Sequence, residues 1–128
     1  MKKLLTVSLA LVLGLVLASG ALCADKDAIK KQVDDIVAAI DGGKTAQDFA
    51  SAAKNDPYVF IMEADGKLLV HPKLEGQNLK EKAEPVYTEV AKGTPEGLWV
   101  DYMWQEKMKH TYSRKTAGGL IVGSGYSD

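Results

Sequence analysis

Cysteine is almost missing from this chain: of 128 residues one is a cysteine, Cys23, and it stands inside an uncharged N-terminal stretch. Neither a disulfide framework nor a thiolate nucleophile is therefore expected of the residues after it. Histidine is nearly as scarce. His71 and His110 are the two in the sequence, and neither has a second ligand at the i+3 or i+4 spacing that helical metal sites use. No local metal site is expected, which leaves open one assembled from distant parts of the chain. Covalent c-type haem is excluded because there is no C-x-x-C-H. No other cofactor signature is present either. G-x-S-x-G is absent, and the run Gly123-Ser124-Gly125-Tyr126-Ser127-Asp128 begins like a dinucleotide fingerprint but the sequence stops where its helix should start. With no nucleophile and base at a recognisable spacing, no catalytic residues and no enzymatic activity are expected. Internal repeats and low-complexity segments are lacking as well.

The first charged-then-apolar block is a targeting signal by pattern. Met1-Lys2-Lys3 precedes an uncharged stretch from Leu4 to Ala24 that ends in small residues, Ala18 to Ala21. Cleavage after Ala21 or Ala24 is expected, giving a periplasmic or secreted protein. The alternative is an uncleaved membrane anchor, since a run of this length can span a bilayer. Lipid attachment at Cys23 fits poorly, because Leu22 stands where Gly or Ala usually precedes a modified cysteine. Without Lys2 and Lys3 the chain counts 14 basic against 17 acidic residues. That mild acidity argues against nucleic acid and anionic membrane surfaces as partners. Residues 1–24 are thus read as a signal peptide and 25–128 as one domain.

From Asp25 onward Ile29, Val33, Ile36, Val37 and Ile40 recur at helical spacing, and Gly42-Gly43 ends the pattern. Thr45 and Asp48 have the spacing of a capping box for a second helix, which Asn55-Asp56-Pro57 should stop. The period then turns extended. Two apolar runs meet at Asp65-Gly66, a pair suited to a two-residue type I′ turn. Such a turn would pair Met62 with Leu69 and Phe60 with His71, placing those four on one face and Val59, Ile61 and Val70 on the other. With both faces apolar, the sheet needs cover on both sides. Residues 73–93 supply the second cover, with a turn near Asn78 to Lys82 and a helix from about Ala83. Three strands follow, near 97–104, 108–116 and 119–126, with connections short enough to be antiparallel.

Aromatic and basic residues gather in the later part of the chain. Tyr102 and Trp104 share one strand face, as do His110, Tyr112 and Arg114, and whether the two sets meet depends on the length of the turn after Trp104. Gly123 and Gly125 share a face too and would leave free volume above the last strand. An apolar hollow with a few converging polar groups is the usual form of a small-molecule site, and an Arg or Lys in it suits a carboxylate.

In order and spacing, several fragments of the chain resemble a single Cache domain, an extracytoplasmic relative of PAS domains. They are Tyr58 to Ile61 leading into Asp65-Gly66, His71-Pro72, Gly76 to Leu79, Trp99 to Trp104, Lys109 to Tyr112 and Gly123 to Tyr126. The resemblance implies an α+β fold: a five-stranded antiparallel sheet, a long N-terminal helix on one face and short helices on the other. It implies a non-enzymatic sensor module that binds a small metabolite, often an organic acid, between the sheet and the helices after its second strand. His71, Tyr102, Trp104, Lys109, Tyr112 and Arg114 are the expected ligand-binding residues. The expected partners are that small molecule, a membrane receptor or other sensor protein in signal transduction, and a second copy in a homodimer through the N-terminal helix. The rival reading is a ligand-free interaction module in the periplasm.

Overall fold

The computed structural model describes residues 25–128; the expected signal peptide lies outside them. Helix α1 spans Lys26–Asp41, capped by the Asp25 carboxylate, which accepts from the Ala28 amide at 3.1 Å, and closed at Gly42. Its apolar stripe, Ile29, Val33, Ile36 and Val37, is buried, as the spacing requires. A 3-10 segment follows at Ala46–Lys54. The Thr45–Asp48 capping box forms, but Phe49 leaves helical backbone geometry (φ −111°, ψ 20°) as its ring packs onto the core, and the segment winds as 3-10 turns instead of the expected α-helix.

Strands β1 (Val59–Met62), β2 (Leu68–Val70), β3 (Leu98–Trp104), β4 (Lys107–Lys115) and β5 (Ile121–Ser127) form one antiparallel sheet in the order β2-β1-β5-β4-β3. Between β2 and β3 come the one-turn helix α2 (Leu79–Lys82), capped by Asn78, and helix α3 (Glu84–Val90), with Pro85 in its first turn. The fold is the expected α+β, PAS-like arrangement.

The two sheet faces carry separate cores. Val59, Ile61, Val70, Tyr112 and Val122 pack under α1 and the 3-10 segment. On the other face Phe60, Met62, Val100, Tyr102 and Ile121 pack beneath α2 and α3 through Leu79, Val86 and Val90. This second cover is tied down by polar contacts: the Tyr87 hydroxyl donates to the Ala64 carbonyl at 2.6 Å, and the Ser113 hydroxyl to the Val90 carbonyl at 2.6 Å.

Three local expectations are corrected. The β1–β2 connection is a three-residue loop, Ala64 to Gly66: Glu63, and not Ala64 as a two-residue turn requires, pairs with Lys67, Gly66 alone takes positive φ (104°), and a type I′ turn is not formed. A bulge between Ile61 and Met62 shifts the register, so Met62 faces Leu68 while Ile61 keeps Val70. Leu68, not Leu69, therefore joins the Phe60 and Met62 core. The third correction concerns Gly123 and Gly125, which leave no free volume. A Cβ on Gly123 would meet the Phe60 ring at 2.4 Å, and one on Gly125 would meet the His110 carbonyl at 2.2 Å and the Thr111 hydroxyl at 2.5 Å.

Candidate functional site

The β3–β4 turn decides which aromatic and basic residues meet. It has two residues, Gln105 and Glu106, both at positive φ (53° and 68°), so Tyr102 pairs with Lys109 and Trp104 with Lys107. Directly paired residues share a face. Lys109 thereby joins Tyr102 and Trp104, while His110, Tyr112 and Arg114 go to the α1 side. The six expected site residues are split four to two.

His71, Tyr102, Trp104 and Lys109 come together on the face of α2 and α3, with Tyr58 among them. Space beneath the two helices is nearly filled: the gap between Phe60, Leu68, Leu79 and Val86 measures about 10 Å³, roughly one water. Beside it, at the end of the sheet, lies a cavity of about 470 Å³, within the range of small-molecule sites. Its walls are Ala53 and Asn55 from the end of the 3-10 segment, Tyr58, His71 to Leu74, and Trp104-Gln105. Tyr58, His71 and Trp104 border both spaces.

His71 is 8% exposed and directly follows β2, ahead of Pro72. Its Nδ1 accepts from the amides of Lys73 and Leu74, both at 3.0 Å. Two N–H donors on one ring nitrogen make it the unprotonated one, so the proton of the neutral ring sits on Nε2. Burial, and secondarily the charge of Lys109, push its pKa down from 6.5 to about 4. The ring stands edge-on to Tyr58 at 5.3 Å and to Trp104 at 6.4 Å.

Lys109 is 5% exposed. Its Nζ donates to the Tyr58 hydroxyl at 2.9 Å and sits 4.3 Å from the centre of that ring and 6.0 Å from that of Trp104. No carboxylate among the described residues pairs with it. Burial alone brings its pKa from 10.5 down to about 8. Tyr102 is buried behind it, bonded to the Thr111 hydroxyl at 2.7 Å, and burial raises its pKa. Tyr58 is raised for the same reason.

Tyr112 and Arg114 serve a different junction. Both donate to Asp34 of α1, at 3.1 and 2.9 Å, and Lys30 reaches the same carboxylate at 2.7 Å. Burial alone would raise the pKa of Asp34, but these three hydrogen bonds outweigh it and hold the carboxyl low. The Tyr112 hydroxyl also meets the Glu96 carbonyl at 3.1 Å, and Arg114 Nε the Pro95 carbonyl. The pair thus stitches α1 to the loop that leads from α3 into β3.

Sequence reasoning missed Tyr58, Asn55, Leu74 and Gln105. Tyr58 was legible in principle, since alternation puts it on the Phe60 face, whereas the others reach the cavity only through tertiary packing.

A sheet of this order, covered by one long helix on one side and short helices on the other, defines a PAS-like sensor fold. The Cache-domain family profile matches residues 3–118, and the chain belongs to that family. Cache domains are extracytoplasmic sensor modules that bind small molecules. Among solved structures, "The ligand binding domain of Mlp24 with asparagine" is similar at 13% identity with a TM-score of 0.45, covering 66% of this chain and 35% of that one. This chain therefore spans about a third of that domain's length. No curated protein matches. Among the described residues no helix is long and apolar enough to cross a membrane.

Proposed function

We propose that this Cache domain binds a small organic acid in the cavity at the sheet end, as an exported sensor module whose residues 1–24 direct it out of the cytoplasm. The observation that carries the reading is Lys109, a buried cation with ring faces around it and no counter-ion among the described residues. An ammonium held this way stays costly until an anion arrives. A carboxylate entering between Tyr58 and Trp104 gains charge-assisted hydrogen bonds there. The His71 ring has its Nε2–H free of any partner among the described residues and offers a second, neutral donor. Ala53, Leu74, Pro72 and the rings accept the apolar part of the guest. Neither Lys109 nor Tyr102 is a wall of the cavity: Lys109 lies against Tyr58 and Trp104, which are walls, so a carboxylate reaches it between those two rings, and Tyr102 is buried with Thr111.

Signal transduction through a membrane receptor or other partner, and a homodimer through α1, are the accompanying proposals. Tyr112 and Arg114 support them by fixing α1 to the sheet, a positioning role rather than ligand contact.

The test is a thermal-shift screen of mono- and dicarboxylates, amino acids and amines on the wild type and on Lys109→Met. A fitting acid at a hundredfold excess over its Kd adds roughly 2.7 kcal/mol of stability. The expected result is a rise with one class of carboxylates that Lys109→Met abolishes. Stabilisation by no carboxylate, or an equal rise in both proteins, would sink the proposal and favour the ligand-free interaction module.

A further inference from the structure

The β3–β4 hairpin carries a second constellation, on the face away from the cavity. Met103 is 56% exposed and Met108 37%, and these are the exposed large apolar side chains of the described residues. They are not scattered. The register pairs them directly across the two strands, which puts their Cβ atoms about 4.5–5.5 Å apart. Each then extends an unbranched, adaptable arm ending in a thioether.

His110 stands two residues along β4 from Met108 and so on the same face. Its Nδ1 contacts the Asp101 carboxylate at 2.7 Å and its Nε2 the Asp128 carboxylate at 2.8 Å. The Asp128 amide in turn donates to the Met108 carbonyl at 3.0 Å. Asp128 is therefore level with the methionine row, and the Nε2 edge of the imidazole is turned along the strand toward it. Tyr126 packs on the ring at 5.0 Å and restricts its rotation.

We propose that Met103, Met108 and His110 form a binding site for a soft monovalent cation, copper(I) or silver(I). Thioether sulfur is a poor ligand for hard cations and selects soft ones, while imidazole nitrogen suits copper. A ligating histidine is commonly oriented by a carboxylate on its other nitrogen, and Asp101 already occupies that place at Nδ1. The ion takes the place of the Nε2 proton, which passes to solvent, and Asp128, with 65% of its side chain exposed, gives up that hydrogen bond and keeps a negative charge beside the ion. The ion enters and leaves in one oxidation state, so no electron acceptor is needed. This site sits on the opposite sheet face from the cavity and stands or falls independently of the carboxylate reading.

The test uses the full chain carrying Cys23→Ser, which removes the one thiol able to outcompete thioethers for silver. Methionine methyl groups are isotope-labelled, and silver nitrate is titrated in chloride-free buffer. The expected result is saturation at one equivalent, with the Met103 and Met108 methyl signals and the His110 ring signals moving while buried Met62 stays put. Met103→Leu with Met108→Leu, an exposed and shape-conserving pair of changes, should keep the circular dichroism spectrum and lower silver affinity about tenfold or more. Static methyl signals, or silver binding as tight in the leucine variant as in its parent, would overturn the proposal.

Discussion

Replacing Lys109 by methionine should make the protein more stable and less able to bind its acid. The native pKa of about 8 against 10.5 for a free lysine means that folding disfavours the charged form by about 3 kcal/mol. Methionine conserves the length of the stem and removes that penalty, at the loss of one hydrogen bond to Tyr58, about 1 kcal/mol. The net expectation is a gain of about 2 kcal/mol at neutral pH, or a Tm higher by on the order of 10 °C for a domain of this size. The pH dependence has a definite sign. Below about pH 8 native and unfolded chains both hold the proton, and the whole penalty is present. Between 8 and 10.5 only the unfolded chain holds it, so wild-type stability rises with pH relative to the variant. Above 10.5 the difference closes to the hydrogen bond alone. Urea unfolding of both proteins across that range, read as the difference between them, cancels the titration of every other group. A variant less stable than wild type at neutral pH, or a gap that fails to shrink as the pH rises, would refute the picture of an uncompensated buried cation.

Acid should act through His71. Its pKa is depressed to about 4 from 6.5, so stability present above pH 6.5 is lost as the pH falls toward 4, by up to about 3 kcal/mol. His71→Asn, whose amide oxygen can accept from the Lys73 and Leu74 amides, should flatten that fall in denaturant unfolding measured at each pH. The two tyrosine hydroxyls should separate by function: Tyr112→Phe costs about 1 kcal/mol of stability through Asp34 and Glu96, yet leaves acid binding by calorimetry unchanged. Tyr102→Phe frees the Thr111 hydroxyl behind Lys109 and should weaken binding by about tenfold at most, against a comparable loss of stability. Gly125→Ala has no room for its Cβ against the His110 carbonyl and should lower stability by about 1–3 kcal/mol in the same unfolding assay.

Local chemistry was readable wherever short-range rules apply. Asp25 caps α1, Gly42 closes it, Thr45 and Asp48 form their box, Asn78 caps α2, and Pro85 opens α3. The turn at Asp65-Gly66 was placed correctly and its type was not, because Gly66 alone supplies the positive φ and the loop takes in Ala64. The converse holds at the other hairpin. Gln105-Glu106 adopts two successive positive φ values with neither Gly nor Asn, held there by strands whose pairing is dictated on both sides by buried rows. No propensity rule points to such a turn.

The order of helices and strands and the buried stripe of α1 were already written in the residues, whereas the winding of the 3-10 segment and the row that β2 buries were not. Caps, turn residues and hydrophobic period act within a few residues and need no distant partner. Which chemistry shares a face depends instead on how the strands pair. One residue more in the turn after Trp104 would have set His110 opposite Tyr102 in place of Lys109, and turned Tyr112 and Arg114 to that same sheet face, since side chains alternate with a period of two. The isolation of Lys109 from any acid among the described residues, and the meeting of two methionines from opposite ends of a turn, follow from that same parity. It is a property of strand pairing and of no single segment.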